Sequence, residues 1–173
     1  MLAELNSLSQ MQLFAFSIWC ASRLVQSVNL ETDLLVSEIA VLQEVVAKTW
    51  SWVGDGTGAK PEQVADARTR VERLGPSEPV KKIEMDPRVV EAFVCVETAL
   101  DCYLTKTAEC ALAAAQCLIN VIDYERDFND VDTMLEYPPL RAEFERQLKM
   151  IDCLRTATLE HVSLQQLRSF PER

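Results

Sequence analysis

The stretch from about Thr107 to Asp127 carries apolar side chains around most of a helical wheel. Ala108, Ala111, Leu112, Ala115, Leu118, Ile119 and Ile122 cover one broad side, and Ala114, Cys117 and Val121 extend it. Only Glu109, Gln116, Asn120 and Asp123 leave a narrow polar strip. A helix that is apolar nearly all round is stable in water only when other elements enclose it. The segment therefore predicts a bundle with itself at the centre.

The remaining segments supply the enclosing helices. Apolar residues recur at helical spacing, and no stretch alternates as a strand bounded by hairpin turns. Ser9 and Gln12 read as a capping box opening a helix to about Val28. A second helix covers roughly Asp33 to Val53, with Trp50 near its end. Three of the four glycines fall in the turn at 54–60, and Pro61 opens a short helix to Leu74. Asp86 and Pro87 are a cap and a first-turn proline for a helix to about Thr105. After Pro138 and Pro139 a helix runs to about Ala157, and a short one spans about Leu159 to Ser169. The expected fold is all-α, a single-domain bundle of about six or seven helices over residues 1–173, built around the 87–127 hairpin.

Charge narrows the function classes. Seventeen Lys and Arg face 27 Asp and Glu, a net charge of -10. That field repels a phosphate backbone and an anionic membrane surface, so neither nucleic acid nor membrane is expected as a partner. A basic protein would instead be steered in. The amino terminus lacks the positive start of a secretory signal, and Asn6, Ser7, Ser9, Gln10 and Gln12 interrupt the uncharged stretch at 5–22. The expected location is the cytoplasm. There the six cysteines, with no CxxC pairing, read as reduced thiols packed near the core.

No cofactor or metal is expected. The single histidine, His161, provides neither a catalytic base beside a nucleophile nor a set of metal ligands. The glycine-rich turn at 54–60 resembles a phosphate loop only loosely. It follows a helix, and Pro61 stands where magnesium binding needs Ser or Thr.

Three groups of residues remain as candidates. Residues 123–136 hold six carboxylates and one arginine, which is half the net charge. An EF-hand register from Glu125 would place Asp130 where the sharp turn needs glycine, which disfavours calcium. Asp127, Asp130, Asp132 and Glu136 are therefore candidates for docking a basic partner, against the plainer reading of a solvated connector. Trp19 falls among polar residues on its helix, one turn before Arg23. Either another helix covers it, or the pair anchors an interface. Finally, Glu97 and Asp101 lie one turn apart, and a tight hairpin would bring Gln116 and Asn120 opposite them. Such a slot could take a small ligand or a metal, even as an enzyme, although a solvated polar stripe explains the same residues.

Leu5-x-x-Leu8, then Gln12-x-Phe14-Ala15-Phe16 and Arg23, together with Trp50 and Glu136-x-Pro138-Pro139-x-x-x-Glu143-x-x-x-Gln147, resemble the YjaG-like bacterial proteins, a domain of unknown function (416). The resemblance implies an all-helical bundle with no assigned enzymatic activity, and it supplies no catalytic residues. Small acidic helical bacterial proteins of this kind are frequent as immunity partners of secreted toxins. The leading expectation is accordingly a non-enzymatic binding protein, an immunity-type inhibitor of a basic toxin. Self-association as a homo-oligomer is the third alternative, beside the ligand slot.

Overall fold

Residues 1–28, 36–54, 58–74, 86–124 and 137–156 are described in a computed structural model, apart from the side chains of 36 and 37. Among them are seven helices and no strand: α1 (Leu2–Leu5), α2 (Gln10–Ser27), α3 (Val36–Gly54), α4 (Pro61–Leu74), α5 (Pro87–Thr105), α6 (Ala108–Tyr124) and α7 (Pro138–Thr156). The short helix expected near Leu159–Ser169 lies outside the described residues.

Local chemistry explains the helix starts. The Ser9 backbone donates to Gln12 Oε1 at 2.8 Å, and Gln12 N donates back to Ser9 Oγ, completing the capping box of α2. Asp86 Oδ1 accepts from the Arg88 backbone at 2.9 Å at the start of α5, with Pro87 in the first turn. Lys106 closes α5 in the left-handed region at φ 58°, and Thr107 Oγ1 then accepts from Cys110 N at the head of α6. This two-residue connection folds α5 and α6 into an antiparallel hairpin.

A single buried cluster takes side chains from all seven helices. α2 packs most extensively on α5, and α5 on α6. Twelve of the 18 residues of α2 are buried, against eight of the 17 in α6. The centre expected at α6 is thus held by α2, which touches α3, α5, α6 and α7. Size is the reason. The alanines of α6 let α2 and α5 approach closely, whereas Phe14, Phe16, Ile18, Trp19 and Leu24 of α2 are large enough to need neighbours on every side.

The glycine-rich turn is fastened to this body. Tyr103 Oη donates to the Ala59 carbonyl, and its ring stacks edge-on to Phe14 at 4.8 Å. Gly58 adopts φ +69°, and a Cβ there would meet Tyr103 Oη at 2.8 Å. Both backbone and space therefore call for glycine at this position.

Candidate functional site

The polar chemistry buried in the core lies between α2, α6 and α7. Arg23 grips Glu143 with both terminal nitrogens, at 2.5 and 2.9 Å. Arg146 Nη1 donates to Glu143 Oε2 at 2.7 Å, and Gln147 Nε2 to Oε1 at 3.1 Å. Glu143 is only 1% exposed, so this is a carboxylate taken out of water and held by two guanidinium groups and an amide. Gln147 also donates to the Ala115 carbonyl of α6 at 3.2 Å, while its own Oε1 is buried without a hydrogen bond.

A second tether fixes the register. Gln12 Nε2 donates to the Leu154 carbonyl of α7 at 2.5 Å. Gln12 and Arg23 are as far apart in sequence as Glu143 and Leu154, so the two ties belong to one antiparallel pairing of α2 with α7. Trp19 then falls level with Gln147. Trp19 is fully buried, with the Arg23 guanidinium 4.9 Å from its ring centre and Phe16 at 5.9 Å. The alternative of an exposed Trp19–Arg23 anchor is therefore corrected. The polar azimuth of Trp19 reflects the polar residues through which α2 binds α7.

The proposed Glu97–Asp101–Gln116–Asn120 slot does not assemble as a unit. Gln116 Nε2 donates to Asn120 Oδ1 at 3.0 Å, so the two amides do meet. However, Asn120 Nδ2 donates to Glu91 Oε1 at 3.1 Å, one carboxylate earlier on α5 than expected. Asp101 faces α4 and forms an ion pair with Arg68 at 2.9 Å. The rotation of α5 is set by Cys95, whose thiol donates to the Ala114 carbonyl, and by Thr98, whose carbonyl accepts from Cys110. Glu91 shares that face; Asp101 does not. Glu97 is half-buried and makes an interaction of its own.

Asp127, Asp130, Asp132 and Glu136 lie outside the described residues, as does His161. The ends that carry the acidic segment are described: Tyr124 closes α6 and is exposed, and Tyr137 precedes α7. Among the described residues no group of three His, Cys, Asp or Glu could hold a metal ion, and no helix is long and apolar enough to cross a membrane. An open groove of about 250 Å³ between α2 and α3 is lined by Val25, Val46 and Trp50, and none of the candidate site residues named above lines it.

All six cysteines are free. Burial pushes the thiols of Cys20 and Cys95 well above their ordinary range, and Cys102 up to about 11. Glu143 nearby adds to the effect at Cys20. Cys110 and Cys153 are also raised by burial. Thiols held in the neutral form are packing groups rather than nucleophiles.

No protein-family model matches the chain, and no curated protein does. A solved structure does: a DUF416 family protein from Shewanella baltica OS155, with a TM-score of 0.74 at 18% identity, covering 98% of this chain and 90% of that one. The chain has the fold of a DUF416 family protein. Gln12, Arg23, Glu143 and Gln147, four residues on which the sequence resemblance rests, are the ones that tie α2 to α7 in this fold. Trp50, a fifth, donates its Nε1 to Ser22 Oγ at 2.6 Å and ties α3 to α2.

Proposed function

We propose that the protein is a non-enzymatic binding protein of the DUF416, YjaG-like kind, working in the cytoplasm as an immunity-type inhibitor of a basic protein such as a toxin. Its acidic segment would occupy the basic groove of the partner, with Asp127, Asp130, Asp132 and Glu136 standing in for substrate phosphates.

The observation that carries this reading is the concentration of charge. Six carboxylates and one arginine fall within 123–136, between the ends of two helices that are packed into the body. Seven of the eight described arginines support it from the other side. Arg23, Arg68, Arg70, Arg88, Arg141, Arg146 and Arg155 all form ion pairs with carboxylates of the same chain. Much of the arginine charge of the described scaffold is thus engaged internally, whereas the acidic segment holds six carboxylates against one arginine. Such a field acts chiefly on the rate of encounter and weakens with salt.

Affinity capture from the native cell tests the proposal. Wild-type protein at low salt is expected to retain a basic protein that elutes at high salt, and the D130K/D132K variant to retain much less. Equal retention by both overturns the role given to this segment.

A further inference from the structure

Glu91 differs from the other buried carboxylate of the core. Glu143 is neutralised by two arginines, whereas Glu91, only 8% exposed, has one amide donor, Asn120, and no cation among the described residues. Removing a carboxylate from water without a counterion is costly. Glu91 Oε2 accepts no hydrogen bond among the described residues, yet it is not one of the sealed polar atoms, so it opens to solvent. The carboxylate is thus embedded in the α5–α6 face with one edge free.

The surroundings of that edge are amphipathic. Gln116 donates to Asn120 and Asn120 to Glu91, so the amide chain points its donors inward and presses the carboxylate into place. Val94, one turn beyond Glu91 on α5, is 43% exposed, and Tyr124, one turn beyond Asn120 on α6, is 57% exposed. Each would be better covered than left in water.

We propose that this face, centred on Glu91 Oε2 and bordered by Val94 and Tyr124, seats an arginine side chain of a basic protein partner. The charge missing from the Glu91 environment is positive, and the overall field of the protein draws cations in. A guanidinium places several donors in one plane, is weakly hydrated and stacks on aromatic rings, which suits a carboxylate edge beside a tyrosine. An ammonium is strongly hydrated and makes a poorer fit. The inference deepens the reading above, since it names a contact for the same partner outside the acidic segment.

Nuclear magnetic resonance on the full chain tests it, with N-acetyl-arginine amide, N-acetyl-lysine amide and N-acetyl-norleucine amide as probes. The expected result is a saturable shift of the Asn120 side-chain amide with the arginine probe, weaker with lysine and none with norleucine. E91Q, which keeps the shape and the Asn120 contact, should lose the arginine shift, and Y124A should weaken it. D130K/D132K should keep the shift, so a failure of the acidic-segment reading leaves this seat standing, and the converse also holds. No saturable shift in the wild type, or an equal shift in E91Q, overturns the proposal. If E91Q fails to fold, Y124A on the exposed border decides instead: an arginine shift as strong as in the wild type overturns the proposal.

Discussion

Arg23 on α2 and Glu143 on α7, 120 residues apart in sequence, form a two-point ion pair at 2.5 and 2.9 Å, with the carboxylate sealed from solvent. Because Arg146 and Gln147 share the same carboxylate, α7 is held in one register along α2. A buried pair is weak evidence for stability in itself, but breaking one leaves stranded charge. Glu143→Ala should therefore destabilise the protein by about 3 to 5 kcal/mol, since two arginines lose their shared acceptor. R23M/E143L should recover part of that loss. Urea midpoints of the three proteins check this, and a Glu143→Ala loss below about 1 kcal/mol would mean the pair is solvated.

Trp19 lies under that pair, and Trp50 and Trp52 are buried as well. Iodide should barely quench the tryptophan emission of the folded protein, and quenching should rise sharply once urea unfolds it. Strong quenching in the native state would put Trp19 back on the surface.

The helix starts were legible in the sequence because a cap is local: Ser9 with Gln12, and Asp86 with Pro87, need only near neighbours. The cover over Trp19 was not, because it depends on which distant helix comes to lie on α2. Gln12 illustrates both, with its oxygen in the capping box and its nitrogen on Leu154 of α7. Glu91 was missed because spacing favoured the Glu97–Asp101 pair. Its signal was present, since Glu91 shares a helix face with Cys95 and Thr98, the small residues that bond to α6. An acidic residue on a stripe of small residues that face another helix marks a special environment.

The thiols make an alkaline prediction. Folded values above the ordinary thiol range mean that unfolding releases protons once the pH passes about 8.5. Stability should fall from that pH upward and, for Cys102, level off near 11. An aromatic disulfide reagent should label Cys110 and Cys153 slowly in the native state, and Cys20, Cys95, Cys102 and Cys117 only on unfolding. Rapid labelling of all six would contradict the packing.

Asp86 works in the acid range. Its bond with the Arg88 side chain holds its carboxyl below the ordinary value, and the Arg88 backbone bond adds to this. The unfolded chain thus takes up the proton first, and the contribution of Asp86 is complete above its ordinary value of about 3.9 and lost as the pH falls through the lower folded value. Asp86→Ala should cost about 1 kcal/mol at neutral pH, as expected for a lost helix cap. Thermal unfolding of both proteins at pH 7 and at pH 3 measures it, with a smaller difference expected at pH 3.

The association rate with the captured basic partner, measured by stopped flow across a series of salt concentrations, tests the central claim most directly. The wild type should associate about tenfold or more faster than D130K/D132K at low salt, with the two rates converging as salt rises. Equal rates at low salt, or a wild-type rate insensitive to salt, would contradict the account.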